Sequence, residues 1–329
     1  MKYLIKSKLK ETSIKKALEL NYAFTVRKIR KLSGFYDANF RLETNQGSYF
    51  LKLYGYDKLP SITFQIALIE TLYNSGLPVG KIKNTKDDGK YFAFRQTFGI
   101  VQEFLKGNHL KDSKINLKLM ENLGQTLGRI HTTTSHAKFK GKKWKKYPWD
   151  LAQFHIVAGH LSKVKKYLAP EVYTLSKGVI SLWRDNSKDL EVLRKGVVHN
   201  DFHGKNLLIQ KNRLVGITDF GDSIYSWFAA DVAVALAHIC FINHKKILSA
   251  SRAFLKGYFK TFGLTDAEKE YLQLLVQMRA CLLIVELTYF FRGKIIIFYR
   301  KFFKDSVYIL KFFRSPENRK AYFELYKKW

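Results

Sequence analysis

The chain is 329 residues long, 47% hydrophobic and 15% aromatic, and carries 58 Lys and Arg against 27 Asp and Glu, a formal net charge of +31. That composition excludes a disordered chain and leaves room for one large domain or two ordinary ones. The positive excess is mostly lysine spread along the whole length, without a zinc-finger, helix-turn-helix or RNA-recognition signature. It therefore reads as surface charge, and specific nucleic-acid binding is not expected.

In chain order, Met1-Lys-Tyr-Leu-Ile-Lys-Ser-Lys lacks the apolar core of a secretory signal. Residues 24–32, 39–43 and 48–54 read as strands, separated by Ser33-Gly-Phe-Tyr-Asp-Ala and Asn45-Gln-Gly. Residues 61–74 carry helical periodicity and end near Gly76 and Pro78. Strands follow at 91–96 and 100–104, and Gly107-Asn marks a break. Beyond it the pattern is helical, at 117–131, 151–168 and 172–183, with 138–147 a basic, aromatic loop expected to be the most mobile segment. Further helices are expected at 229–242, 246–262, 266–291 and 294–313. Cys240 and Cys281 form no metal-ligand spacing and read as reduced, buried thiols of an intracellular protein. The longest apolar run, 280–291, contains Glu286 and is too short to span a bilayer. No transmembrane segment is expected, and the location expected is cytoplasmic. The order of elements makes an α+β, bilobal fold, with a small β-rich lobe over 1–105, a larger helical lobe over 106–329, and ligands in the cleft.

The chemistry is concentrated in Val197-Val-His-Asn-Asp-Phe-His-Gly-Lys-Asn-Leu-Leu-Ile-Gln and in Val215-Gly-Ile-Thr-Asp-Phe-Gly-Asp. Residues 207–210 and 215–218 are β-rich runs, and Lys211-Asn-Arg is a turn signal, so a hairpin is expected. With a loop over 211–214, Gln210 faces Val215 and Asn206 falls opposite Asp219, their Cβ atoms about 4.5–5.5 Å apart. A carboxamide oxygen and a carboxylate at that spacing can share a hard cation such as Mg²⁺, with phosphate and water completing its shell. A one-residue slip in register would send the two side chains to opposite faces. Asp201, on the loop entering the hairpin, can accept the proton of a substrate hydroxyl while the metal holds a nucleotide, the division of labour in kinase-type phosphoryl transfer. Alone, His-x-Asp-x-x-x-x-Asn is a weak pattern that fits a solvated turn; the hairpin and the Asp-Phe-Gly beyond it give it weight.

These residues resemble the aminoglycoside phosphotransferase-like kinases, a family that includes choline, homoserine and hydroxylysine kinases. The resemblance runs from about residue 32 to about residue 240 and implies a protein-kinase-like fold with ATP between the lobes. His199-Asn-Asp-Phe-His-Gly-Lys-Asn is similar to the family's His-Gly-Asp-x-His-x-x-Asn catalytic loop. That implies Asp201 as catalytic base, Asn206 as a Mg²⁺ ligand, His199 as a brace, and His203 near the transferred phosphoryl group, where bracing the loop is the other reading. Asp219 matches the second metal ligand. Lys52, in Tyr49-Phe-Leu-Lys-Leu, matches the strand lysine on the α- and β-phosphates. Residues 33–39, with Ser33, Gly34 and Asn39, match the loop over the nucleotide. Glu103-Phe-Leu105 matches the hinge that meets adenine through its backbone. Leu127-Gly-Arg-Ile-His131 resembles a landmark helix, and His131 reads as a core histidine. Asn200 stands where the family has Gly, a residue type that also tolerates left-handed geometry. The glutamate expected on a helix opposite Lys52 falls at Gln65, with Glu70 well round the helix.

Together these features imply an ATP- and Mg²⁺-dependent phosphotransferase acting on a hydroxyl of a small metabolite. Gly216-Ile-Thr-Asp-Phe-Gly-Asp-Ser-Ile-Tyr-Ser most resembles the homoserine- and hydroxylysine-kinase branches, which implies an amino alcohol or hydroxy amino acid as acceptor. Asp222 is a candidate for meeting the substrate ammonium, and Asp231 reads as capping or structural. Gln65 and the glycine-poor loop keep a weakly active or regulatory ATP-binding protein as the alternative. An aminoglycoside or a protein Ser/Thr acceptor is a further alternative; the basic balance and the lack of an activation-loop signature speak against them.

Overall fold

The computed structural model describes residues 9–34, 37–55, 57–110, 116–137, 146–242, 244–295, 297–327 and 329. The chain divides into two compact units, Met1–Gly107 with Val215–Thr218, and Asn108–Leu214 with Asp219–Trp329. The return of the chain at Val215–Thr218 is a piece of the first unit that a single division after residue 105 does not contain.

The first unit opens with α1 (Glu11–Asn21), a helix the sequence pattern did not announce: no side chain caps its start. Then come β1 (Val26–Lys31), β2 (Ala38–Thr44), β3 (Gly47–Leu53), α2 (Leu59–Asn74), β4 (Phe92–Phe94) and β5 (Thr97–Glu103). The strands make one antiparallel sheet in the order β1-β2-β3-β5-β4. Buried and half-buried residues alternate along β2, as they must in a strand with one face on a core. Phe40 and Leu42 pack with Leu51, Leu53, Phe92 and the Ile14 and Leu18 face of α1. Each such burial is worth roughly 1.5–3 kcal/mol. Lys52 lies between Leu51 and Leu53 and therefore points to the other face, where Asn39 is its cross-strand partner.

The second unit holds β6 (Asn108–His109), α3 (Leu117–Ser135), α4 (His155–Val164), α5 (Pro170–Asp185), α6 (Ser187–Leu190), β7 (Lys195–Val198) and β8 (Leu207–Gln210). The chain continues through β9 (Arg213–Ile217), whose end belongs to the first unit, to β10 (Ile224–Trp227) and α7 (Phe228–Ile242). It finishes with α8 (Ile247–Phe259), α9 (Asp266–Phe290), α10 (Ile297–Phe312) and α11 (Pro316–Phe323). The run 151–168 is broken into α4 flanked by 3₁₀ turns at Leu151–Gln153 and Lys165–Tyr167. Its start is tightened by the Asp150 carboxylate, which accepts the Ala152 N–H at 3.0 Å. Of the expected mobile loop, residues 138–145 lie outside the described residues.

Two packing features position the site. Helices α3 and α8 touch backbone to backbone, because a Cβ on Gly124 would sit 1.8 Å from the Phe254 carbonyl oxygen and one on Gly257 1.8 Å from that of Glu121. That contact brings His131 of α3 against Tyr258 of α8. Helix α9 starts on a capping box formed by Thr265 and Glu268. By length and composition it could cross a membrane, but 83% of its apolar window is buried inside the protein, which makes it a core helix. Cys281 on α9 is a buried free thiol, as expected; the Cys240 side chain lies outside the described residues.

Candidate active site

Strand β7 pairs with β10 from Ile224↔Val198 to Trp227↔Lys195, so the chain leaves a fixed strand at Val198 and enters the loop at His199. The loop is tied down by a carboxylate at the start of α7. Asp231 is fully buried and accepts the backbone N–H of His199 at 2.9 Å and of Asn200 at 2.8 Å, with the His131 Nε2 at 3.1 Å. Burial, the leading cause, pushes the Tyr258 phenol well above its ordinary pKa. The phenol keeps its proton and donates to His131 Nδ1 at 2.8 Å, which leaves Nε2–H to donate to Asp231. His131 is thus a core histidine satisfied at both nitrogens, and the role of Asp231 is structural. Asn200 adopts the left-handed region (φ 64°), which asparagine tolerates.

Asp201 sits at the centre of this loop. Its Oδ2 accepts the Asn206 Nδ2–H at 2.9 Å and lies 3.1 Å from His203 Nε2; its Oδ1 lies 3.1 Å from Arg279 Nη2. His203 Nδ1 accepts the Lys205 N–H at 3.2 Å, so the ring proton is on Nε2 and points at Asp201. Burial by itself would raise the Asp201 pKa. His203, Arg279 and His199 outweigh it and hold the carboxyl well below the usual carboxylate range. Burial brings the neighbouring Lys205 down to about 8, with Asp201 opposing.

The hairpin is present but in a different register. Its loop is the two residues Lys211 and Asn212, both left-handed (φ 47° and 58°), which is a type I′ turn. Gln210 therefore faces Arg213 and not Val215, and the pairing that set Asn206 opposite Asp219 does not hold. Asp219 is positioned instead by its own backbone, at φ 61°. Aspartate is among the few non-glycine residues that adopt this left-handed conformation readily. Its Oδ1 accepts the Gly221 N–H at 3.4 Å. Asp222 follows, with the Tyr147 hydroxyl donating to its Oδ1. Burial first, then the negative charges of Asp201 and Asp219, push Asp222 up to about 7.

By residue type, a carboxamide and a carboxylate suit a hard dication. Asn206 commits its Nδ2 to Asp201, and Asp219 brings a carboxylate. A dication would also relieve the crowding of negative charge felt by Asp222. Among the described residues no three His, Cys, Asp or Glu side chains group as a metal site by themselves, a set too small for a protein cage but enough for Mg²⁺, which binds one or two protein oxygens with phosphate and water.

In the first unit, Lys52 is 7% exposed and pairs with Asp37 Oδ2 at 2.9 Å. Asp37 Oδ1 accepts the Gly55 N–H at 3.0 Å. The carboxylate at Lys52 thus comes from the loop before β2 and not from α2. Gln65 of α2 donates to Asp57 at 2.9 Å and accepts the Tyr54 hydroxyl at 3.3 Å, while Glu70 pairs with Lys90. Asn39 Nδ2 donates to the Ser33 carbonyl at 3.0 Å, and its buried Oδ1 has no partner among the described residues. Gly34 is required where it stands, since a Cβ there would meet the Asp37 carbonyl oxygen at 2.4 Å. Glu103 ends β5 opposite Tyr49, and the Phe104 N–H donates to Ser48 O at 3.3 Å, which places Leu105 just past the sheet.

Arg279, Tyr147 and the pairing role of Asp37 were not found from sequence. Arg279 carries a signal that could have been used, a lone charge in the apolar run Leu274-Leu-Val-Gln-Met-Arg-Ala-Cys-Leu.

Residues 28–271 match the model of the phosphotransferase enzyme family (APH). A homoserine kinase of Zymomonas mobilis subsp. mobilis is 26% identical over 243 residues, 72% of this chain and 72% of that protein. The solved structure of amicoumacin kinase hAmiN in complex with AMP-PNP, Ca²⁺ and Ami is similar with a TM-score of 0.73 at 20% identity, over 94% of this chain and 96% of that one. A microcompartment-associated aminopropanol kinase is similar with a TM-score of 0.62 at 15% identity, over 92% and 94%. These structures share the protein-kinase-like fold, and the family match takes in Lys52, the whole catalytic loop and Asp219: the chain belongs to the phosphotransferase enzyme family.

Proposed function

We propose that this protein is an ATP- and Mg²⁺-dependent kinase that phosphorylates a hydroxyl of a small amino compound, an amino alcohol or a hydroxy amino acid. The observation that carries the reading is Asp201, kept ionised and held by Asn206, His203 and Arg279 on a loop anchored by a buried carboxylate. The acceptor hydroxyl oxygen bonds to the γ-phosphorus as the bond from that phosphorus to the β–γ bridging oxygen breaks. ADP leaves, and the hydroxyl proton passes to Asp201 and on to solvent. A carboxylate so far from its protonation range takes the proton late, which suits the loose transition state of phosphoryl transfer; its larger contribution is to orient the hydroxyl. His203 Nε2–H fixes the carboxylate from one side, which supports bracing of Asp201 as its role.

Asn206 and Asp219 would hold Mg²⁺. When bound, the metal neutralises charge on the β- and γ-phosphates. Lys52, oriented by Asp37, steadies the α- and β-phosphates; Ser33, Gly34 and Asn39 cover the nucleotide; the backbone at Glu103 and Leu105 reads adenine. In this reading residues 1–105 serve the nucleotide and 106–329 the acceptor. Asp222 meets the acceptor's amino group. The relatives support an amino-bearing acceptor, one being a homoserine kinase and another an aminopropanol kinase.

The test is Asp201→Ala, assayed for ADP formation with a panel of amino alcohols and hydroxy amino acids. Transfer should fall by about 10³-fold or more, with circular dichroism and ATP affinity largely kept. Full turnover in that variant would overturn the assignment.

A further inference from the structure

Arg279 is 6% exposed in the middle of a core helix, where a charge is expensive unless it is used. A guanidinium carries five N–H donors. One of them, on Nη2, reaches Asp201 Oδ1 at 3.1 Å, and the others have no partner among the described residues. The guanidinium keeps a small exposed part, 6% of the residue's surface. Asp222 is its counterpart of opposite sign. Its Oδ1 accepts the Tyr147 hydroxyl, its Oδ2 has no partner among the described residues, and the Arg279 charge reaches it. Asp201 therefore has about it one cation with further donors and one anion with a further oxygen.

We infer that Arg279 reads a carboxylate on the acceptor, so that the substrate is an α-amino acid with a side-chain hydroxyl and not an amino alcohol. This rests on the kinase reading above and narrows it. A zwitterion satisfies both groups, its ammonium on Asp222 and its carboxylate on the planar fork of Arg279, the geometry that guanidinium offers to carboxylates. An amino alcohol satisfies only Asp222 and sets a second cation beside a guanidinium whose donors stay unfilled, which costs affinity twice. The competing use of those donors is the γ-phosphate, which would help every acceptor equally.

The experiment pairs each hydroxy amino acid with its decarboxylated counterpart: homoserine with 3-aminopropan-1-ol, serine with ethanolamine, threonine with 1-aminopropan-2-ol. Both kcat/KM and calorimetric binding are measured for the wild type, Arg279→Gln and Arg279→Lys. In the wild type the best acid should exceed its counterpart by about 100-fold, the size expected of a buried charge-assisted pair. Arg279→Gln should collapse that ratio towards unity, and Arg279→Lys should keep part of it. Losses common to both members, such as any through Asp201, cancel in the ratio. A wild type that treats the two alike, or a ratio unchanged in Arg279→Gln, overturns the inference and leaves the kinase reading standing. Absence of turnover with every acceptor counts against the kinase reading, and the binding ratio still decides the role of Arg279.

Discussion

In the loop between β7 and β8, a buried Asp231 holds two consecutive backbone N–H groups, His131 and Tyr258 hold Asp231, and Asn206 and His203 hold Asp201. In the loop between β1 and β2, among the described residues, Asn39 holds Ser33, Asp37 holds Gly55 and Lys52, and the Asn39 Oδ1 is buried without a partner. An unpaired acceptor of that kind costs roughly 1–3 kcal/mol. The loop around Asp201 is held by these bonds in the absence of a ligand, which in the proposed kinase would spare its groups reorganisation during the reaction. Among the described residues, the other loop keeps one acceptor that nothing in the protein fills.

Breaking the anchor should have the largest effect. Asp231→Ala strands the N–H groups of His199 and Asn200 in a dry interior and should cost about 3–5 kcal/mol of stability by urea unfolding, together with activity. Asp231→Asn, which keeps one acceptor, should cost less. A loss under about 1 kcal/mol for the alanine variant would show that the loop is held elsewhere and remove the contrast. On the other side of the comparison, Lys52→Met should lower kcat/KM for ATP by about 100-fold while leaving the melting temperature near the wild type. Asp37→Asn should produce a milder version of that kinetic loss, since it leaves the lysine in place but unoriented. Equal and small losses in ATP and acceptor kinetics would mean that this pair only stabilises the sheet.

The smallest expected effect is in pH dependence. Asp222, at about 7, is ionised above that pH and neutral below it; the groups facing it are Asp201, Asp219, Arg279 and the Tyr147 hydroxyl. An acceptor ammonium needs the ionised form, so kcat/KM for the acceptor should be level above pH 7 and fall about tenfold per unit below it. Raising the Mg²⁺ concentration should move this limb to lower pH, because a nearby dication favours the carboxylate. Asp201 stays ionised throughout this range. An acid limb that persists in Asp222→Asn would assign the titration to another group.

The candidate loop was legible in sequence because its residues are contiguous: Asp201, Asn206 and Asp219 lie on one loop, one hairpin and the turn after it. The strands of the sheet were legible from alternation, and most helices from their period. The short pair β7 and β10 was not, having four residues each and Gly196 within one of them. Nor was α1, which lacks a capping side chain. The hairpin register was misread because Lys211, an unusual residue for a left-handed position, takes one and shortens the loop to two residues.

By itself the sequence determined that Asp201, Asn206 and Asp219 come close together along the chain, since local order suffices to put them on one loop, one hairpin and the turn after it. Only the tertiary structure decided what holds and tunes them. Asp37 at Lys52, Asp231 under the loop and Arg279 at Asp201 are contacts between distant segments, the last separated by 78 residues. Helix packing and strand pairing create such contacts, and a one-dimensional pattern carries no record of them.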